Sequence, residues 1–209
     1  MGKVWRFFVL QIFVTKRLSV PPRPKTEVFF MKTQKIVVTA LFSALVFVAT
    51  YFLTIPVQIG YINFGDAFLL LAGVLVGPWG AGICGALGGA IADLASGFAI
   101  YAPFTLVVKF VEGVLCGLLF NLLKKRDKLY FAGTFFAFVV SALWMVFGYL
   151  ITNTILYSFE AALLTVVNDL LQAGISVAIA TVLFVALSHI PYVRHNFGLR
   201  PVFNKRRDN

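Results

Sequence analysis

Long apolar runs, separated by short polar segments, dominate this chain from residue 36 onward. A helix needs about 20 mostly apolar residues to cross the roughly 30 Å of hydrocarbon in a bilayer. By this criterion the pattern predicts an all-α protein with six transmembrane helices in one bundle. The predicted spans are residues 36–55, 64–77, 81–98, 104–123, 130–152 and 161–187. The second span is short for a full crossing.

The composition supports a membrane protein, with 60% hydrophobic residues, 12% charged residues and a mean hydropathy of +0.93. These values lie outside the range of soluble domains. The 209 residues leave little beyond the spans, so an appended catalytic or nucleotide-binding domain is not expected. We predict one transmembrane domain over residues 31–192 and a basic cytoplasmic tail over residues 193–209.

Basic residues predict the orientation, because short cytoplasmic loops collect Lys and Arg. Basic clusters precede the first span, separate the fourth from the fifth and follow the sixth, all on one side of the predicted bundle. The opposite loops, residues 56–63, 97–103 and 153–160, contain no Lys or Arg. Both termini are therefore predicted to be cytoplasmic. The net charge of +10 indicates topology and contact with anionic lipid, and not a nucleic-acid partner.

Residues 1–30 fit the remainder poorly. Their apolar run, residues 7–14, is too short to span, and a proline-rich segment stands where a signal peptide would have its cleavage site. Met31 followed by Lys32 resembles a natural beginning. One hypothesis is a dispensable or misassigned extension; the other is a basic amphipathic segment on the inner leaflet.

Polar side chains lie inside the apolar runs, where a charge costs about 2.5–3.5 kcal/mol to insert and usually marks function. With the predicted topology they fall in the outer half of the bundle, and the inner half is almost wholly apolar. We therefore predict a cup that opens outward above a closed floor. The polar residues that converge there include Asp66 and Asp169. The predicted substrate-binding residues are Asp93, Lys109, Glu112, Tyr149, Asn153, Asn168 and Gln172.

Each polar residue also has a structural interpretation. Lys109 is predicted to pair with Asp93 or Glu112, and a pair with Glu112 could simply neutralise itself within one helix. Asp66 follows Gly65 and suits an N-cap. Asn168 and Gln172 share a helix face and could join neighbouring helices by hydrogen bonds.

Small residues recur every fourth position in the third span and predict close approach of another helix. This stripe consists of Ala81, Gly85, Gly89, Asp93 and Gly97. The first span carries a similar pair, Ala40 and Ala44, which could contact a helix of this bundle or of another protein.

Catalytic motifs are missing from the sequence. There is no phosphate-binding G-x-x-x-x-G-K-[ST] loop, no H-E-x-x-H and no G-x-S-x-G. Cys84 and Cys116 lie in predicted spans without metal-ligand spacing, so neither a metal nor a disulfide is expected. We predict neither catalysis nor a cofactor.

Two segments resemble the S components of energy-coupling factor (ECF) vitamin transporters, above all those assigned to pyridoxine or hydroxymethylpyrimidine. They are NFGDAFLLLAGVLVGPWGAGICGALGGAIADLASG from Asn63 and YAPFTLVVKFVEG from Tyr101. The resemblance implies a subunit of a prokaryotic plasma membrane that captures a vitamin from outside with high affinity. It also implies a transmembrane T component, faced by Ala40 and Ala44, two cytoplasmic ATPases that hydrolyse ATP, and a lid over residues 54–63.

The pocket residues suit a small neutral or weakly basic heteroaromatic alcohol, such as pyridoxine or hydroxymethylpyrimidine, and riboflavin stays open. One alternative is a secondary transporter in which Asp93, Lys109 and Glu112 relay protons. A membrane enzyme acting on a lipid head group is a further alternative, which the missing motifs disfavour.

Overall fold

A computed structural model of the protein describes residues 25–57, 61–125 and 130–202, with side chains from residue 33 onward. The chain divides into two compact units, residues 1–34 and 35–209, and the second carries the helical bundle. Most of the predicted N-terminal extension, part of the basic loop after the fourth span and the end of the basic tail lie outside the described residues. The predicted domain boundaries at residues 30 and 192 stay predictions.

The described residues form seven helices and one short hairpin. In chain order they are α1 (Lys25–Phe52), β1 (Thr54–Pro56), β2 (Tyr61–Asn63), α2 (Gly65–Leu75), α3 (Pro78–Ala95), α4 (Ala102–Leu123), α5 (Tyr130–Leu156), α6 (Phe159–His189) and α7 (Pro191–Phe197). Each of the six predicted spans coincides with one of the helices α1 to α6.

Within the described residues, four helical segments are long and apolar enough to cross a membrane: Thr33–Phe52, Ala102–Leu123, Tyr130–Leu156 and Phe159–His189. Helix α2 is apolar but has only 11 residues. It is followed at once by a turn in which Gly77 has a φ of 94° and Pro78 opens α3. Glycine adopts this left-handed conformation at little cost, and proline suits the first turn of a helix. The chain therefore reverses within two residues of the end of α2.

Helix boundaries follow local sequence. Helix α1 starts before the predicted residue 36 because no Gly or Pro interrupts the chain from Lys25 to Phe52. Helix α6 starts at a cap in which the Ser158 hydroxyl accepts a hydrogen bond of 3.2 Å from the Ala161 N–H. It ends at Ile190, before Pro191.

The predicted stripe of small residues on α3 packs directly against α4. A Cβ atom added to Gly113 of α4 would lie 2.5 Å from the Ala81 carbonyl, and one added to Gly85 would lie 2.8 Å from the Lys109 carbonyl oxygen. One added to Gly89 would lie 2.9 Å from the Thr105 side chain. The two antiparallel helices thus approach at backbone distance. This contact brings the end of α3, with Asp93, beside the start of α4.

The apolar core fills the bundle towards its other end. Its largest fully buried apolar side chains are Phe138, Phe184, Leu69, Leu70 and Met145. Cys84 and Cys116 are buried and free. The core leaves the polar residues gathered at the end of the bundle that carries the hairpin.

The hairpin is the one departure from an all-α chain among the described residues, and the sequence analysis did not predict it. Strands β1 and β2 pair antiparallel, with Thr54 opposite Asn63 and Pro56 opposite Tyr61. Within the predicted lid segment, the pairing gives residues 54–56 and 61–63 a regular structure between α1 and α2. It also directs Tyr61 and Asn63 to the site described below.

The contact between α3 and α4 gives a prediction for stability. Gly113→Ala forces the Ala81 backbone away and should lower the free energy of unfolding by about 1–3 kcal/mol, the usual cost of overpacking. Gly174→Ala is the matched control, because a Cβ at Gly174 meets nothing within 4 Å. Thermal unfolding of both variants in the same detergent tests the contact, and equal midpoints would contradict it.

Candidate ligand-binding site

A polar cavity lies where six helix ends meet the hairpin. It is formed by the second halves of α1, α3 and α5 and the first halves of α2, α4 and α6. It contains about 60 Å³ in which the centre of a water molecule can lie. Polar and aromatic side chains dominate the lining. The lining residues are Val46, Thr50, Tyr61, Asn63, Asp66, Gly89, Asp93, Phe98, Tyr101, Thr105, Lys109, Tyr149, Asn153, Thr165, Asp169 and Gln172.

Lys109 of α4 lies at the bottom of the cavity between two carboxylates. Its Nζ forms ion pairs with Asp66 Oδ1 and, at 3.1 Å, with Glu112 Oε2, and all three side chains are at most 5% exposed. Gln172 Nε2 donates a hydrogen bond of 2.7 Å to the second oxygen of Asp66. The Tyr149 ring covers the ammonium group at 5.4 Å from its centroid. A buried charge is tolerated only when it is paired and hydrogen-bonded, and this network meets that requirement for Lys109.

Asn63 joins the hairpin to the same network. Its backbone N–H donates to Gln172 Oε1 at 2.9 Å, and its side-chain amide donates to the same oxygen at 3.3 Å. The Asn63 side-chain oxygen accepts from the Gly65 N–H at 3.0 Å and so fixes the start of α2. One residue therefore holds the hairpin, α2 and α6 together.

Tyr61 forms the second link between hairpin and cavity. Its hydroxyl donates a hydrogen bond of 2.5 Å to Asp93 Oδ1 at the end of α3. Burial, and then the nearby Asp93 carboxylate, raise the pKa of the Tyr61 phenol far above its usual value, so Tyr61 stays a donor. The Tyr61 ring packs against Phe98 with centroids 5.2 Å apart.

Hydrogen bonds between side chains connect α4, α5 and α6 along one wall of the cavity. Tyr101 donates to Asn153 Oδ1 at 2.8 Å, and Asn153 Nδ2 donates to Thr165 Oγ1 at 2.9 Å. The hydroxyls of Thr105 and Tyr149 lie 3.1 Å apart. These bonds orient two aromatic rings and one amide towards the cavity.

Two carboxylate oxygens of the cavity lining have no hydrogen-bond partner among the described residues. They are Asp93 Oδ2 and Asp169 Oδ2, both buried. Glu112 Oε1, next to the cavity floor, is also without one. The described residues contain no group of three or more His, Cys, Asp and Glu arranged to hold a metal ion. A buried carboxylate without a partner is costly, so these oxygens are positions where a bound molecule would be held strongly.

The structure brings five of the seven predicted site residues into the cavity lining: Asp93, Lys109, Tyr149, Asn153 and Gln172. Glu112 lies one helical turn further from the cavity and reaches it through Lys109. Asn168 does not line the cavity, and its neighbour Asp169 does. Asp169 and Gln172 are three positions apart and so share one face of α6. The orientation of α6 that directs Gln172 into the cavity therefore directs Asp169 there too.

The predicted N-cap role of Asp66 needs correction, whereas the predicted pairing of Lys109 is confirmed for one of its two alternatives. Asp66 does not cap α2: the N-cap is Phe64, without a side-chain cap, and the Asp66 carboxylate binds Lys109 and Gln172 instead. Of the two partners predicted for Lys109, Glu112 is confirmed, whereas Asp93 is paired with Tyr61. The second partner of Lys109 is Asp66, because the close contact of α3 with α4 leaves the Lys109 side chain to extend towards the start of α2.

Several residues of the cavity lining were not predicted as site residues from the sequence. Tyr61 and Asn63 belong to a hairpin that no pattern indicated, and Thr165 looks like an ordinary residue of an apolar helix. Thr105 carried a signal, because it shares a helix face with Lys109 and Glu112. Asp169 carried a signal, since it is a carboxylate inside a predicted span and shares a face with Gln172.

A bundle of membrane-length helices with a polar cavity at one end is the architecture of a membrane protein that binds a small solute. The chain belongs to the family of ECF-type riboflavin transporter S components, which matches residues 30–189. It is a multi-pass membrane protein of a transporter family, not of an enzyme family. It is also 35% identical over 119 residues to a protein of Pyrococcus woesei described as "Uncharacterized protein in gap 3'region". That match covers 57% of this chain and 76% of the relative.

The ion network predicts the effect of removing its cation. Lys109→Met leaves two buried carboxylates unpaired and should lower the free energy of unfolding by about 3–5 kcal/mol. Combining it with Asp66→Asn and Glu112→Gln removes the three charges together and should recover most of that loss. Thermal unfolding in detergent compares the two variants. A triple variant that is less stable than Lys109→Met would contradict the network.

Proposed function

We propose that this protein is the substrate-binding subunit of an ECF-type vitamin transporter and captures a small vitamin in the cavity between the helix ends and the hairpin. One observation carries the proposal: hydrogen-bonding groups from α1 to α6 converge on a cavity that Tyr61 and Asn63 of strand β2 also line. Ligand sites are typically such enclosed spaces, with a few placed polar groups among aromatic ones. The family of the chain supports the same role.

The lining favours a flat heteroaromatic ligand with hydroxyl groups. Phe98, Tyr101 and Tyr149 offer faces and edges for stacking, and Asn153 and Thr165 offer hydrogen bonds at the ring edge. The resemblance of two segments, which begin at Asn63 and Tyr101, to S components assigned to pyridoxine or hydroxymethylpyrimidine supports one of these two vitamins. The name of the family keeps riboflavin as the competing ligand.

The proposed topology has six crossings and cytoplasmic termini, in the plasma membrane of a prokaryote. Among the residues whose side chains are described, every Lys and Arg except Lys109 belongs to the end of the bundle opposite the cavity: Lys35, Lys124, Lys125, Arg194 and Arg200. The distribution of basic residues across the membrane orients that end towards the cytoplasm. The cavity then opens to the outside, with the hairpin as its cover.

A transmembrane T component and two cytoplasmic ATPases are the proposed partners. Ala40 and Ala44 are exposed on α1, and neither lines the cavity. Ala40 lines an apolar groove, together with Thr39, Ser43 and the 70% exposed Trp79. Small residues beside an apolar groove let a helix of another chain approach closely. ATP hydrolysis is assigned to the partners, because this chain has no phosphate-binding loop.

Ligand identification tests the proposed function. The protein, purified from its native host in detergent, should retain a small molecule that mass spectrometry of the extract identifies as a vitamin. Calorimetric titration of ligand-free protein should show submicromolar binding of pyridoxine or hydroxymethylpyrimidine and weaker binding of riboflavin. The reverse order would assign the site to riboflavin. Uptake into liposomes driven by a pH gradient without partners would instead support the secondary transporter.

Partner contact is tested separately from ligand binding. Ala40→Leu should abolish copurification with the T component and ATPases from the native host, because a larger side chain blocks close helix packing. Ligand affinity should stay unchanged, since Ala40 lies far from the cavity lining. Ala132→Leu, at an exposed alanine of α5, is the matched control. Equal copurification of both variants would contradict the partner surface.

A further inference from the structure

The cavity and its floor bring more negative than positive groups together. Four carboxyl groups, those of Asp66, Asp93, Glu112 and Asp169, surround a single ammonium group, that of Lys109, in the part of the chain that the structure describes. A neutral ligand would leave this imbalance unchanged, and removal of such groups from water is costly without opposite charge.

The ammonium group of Lys109 is already engaged. It contacts Asp66 and Glu112, and the Tyr149 ring covers it on a further side. Because Asp66 is also bound by Gln172, both of its oxygens have partners. Among the described residues, Lys109 therefore forms its ion pairs with the two carboxylates at the floor of the cavity and none with the carboxylates higher up.

Asp93 and Asp169 are the carboxylates left without a cation. Asp93 is only 5% exposed, and it keeps one oxygen, Oδ2, without a hydrogen bond while Tyr61 occupies the other. Asp169 Oδ2 is likewise buried and without a partner, on the opposite wall of the same cavity. The atoms of α3 and α6 that are left without a hydrogen bond in the cavity are thus two carboxylate oxygens. Both can only accept hydrogen bonds when they are ionised.

Aromatic rings accompany these free oxygens. Phe98 and Tyr101 line the cavity with ring centroids 6.3 Å apart in an edge-to-face arrangement. The faces of aromatic rings attract cations, and carboxylates beside such faces form a site for a positively charged ring nitrogen. A neutral vitamin would use the rings but would leave both acceptors without a donor of matching charge.

We propose that the cavity selects a positively charged heteroaromatic ligand, with its cationic ring held by Asp93 and Asp169 and stacked among Phe98 and Tyr101. This inference rests on the proposed function, because it names the ligand class of the same site. It separates two roles among the buried charges: Lys109, Asp66 and Glu112 hold the helices, and Asp93 with Asp169 recognises ligand charge.

Two probes of equal shape and different charge test the proposal. N-methylated nicotinyl alcohol is a permanent cation, and meta-methylbenzyl alcohol is its uncharged carbon isostere. Each is titrated as a competitor of the vitamin that the full-length protein binds, in the same detergent. The cation should displace the vitamin at a concentration at least about tenfold lower, the scale expected for a desolvated charge pair.

Two substitutions, Asp93→Asn and Asp169→Asn, test whether these carboxylates produce the preference for the cationic probe. Asp93→Asn keeps the acceptor for Tyr61 and removes the charge, so it should reduce the preference for the cation by about tenfold or more while changing affinity for the isostere little. Asp169→Asn should act in the same direction and serves as the second variant if Asp93→Asn lowers stability. Glu160→Gln is the control, because it removes one exposed carboxylate from the same end of the bundle.

The outcomes separate the two proposals. Equal displacement by both probes, stronger displacement by the isostere or no displacement by either at millimolar concentration overturns the charge selection, while vitamin binding still supports the proposed function. An equal effect of Asp93→Asn and Glu160→Gln also overturns it. Failure of every vitamin to bind overturns the proposed function and this inference with it.

Discussion

The pairing of Lys109 with Asp66 and Glu112 is the interaction on which the rest of the structure depends. An ammonium group at this depth is acceptable only with carboxylates in contact, and the two carboxylates come from different helices. The pair with Glu112 stays within α4, whereas the pair with Asp66 fixes the start of α2 against α4. Gln172 extends the network to α6. The helices α2, α4 and α6 are thereby aligned at one end of the bundle.

The small residues of α3 make this network possible. Side chains at Gly85 or Gly89 would separate α3 from α4 and move Lys109, whose carbonyl oxygen lies only 2.8 Å from the position of a Gly85 Cβ. Van der Waals packing at backbone distance thus sets the position of the charged groups, and the charged groups set which helix ends meet. The two effects act at different depths, since apolar packing fills one end of the bundle and polar contacts close the other.

Sequence alone predicted the helices, the stripe on α3 and the gathering of polar residues at one end, because each depends on spacing along a single element. It did not predict which polar residues meet. Asn168 and Asp169 are neighbours about 100° apart around α6, and only packing against other helices decides which one faces the cavity. The role of Asp66 depended in the same way on α4, which is distant in the sequence. The hairpin was missed because its strands have three residues each, too few to show an alternating pattern.

Gln172 has a consequence for how the hairpin leaves the site. Its amide oxygen receives two hydrogen bonds from Asn63 while its amide nitrogen serves Asp66. Departure of the hairpin would strip the oxygen of both donors at once, and the amide would be free to rotate and abandon Asp66. Displacement of the hairpin and loosening of the ion network are therefore expected to be coupled, because both depend on the orientation of one amide group.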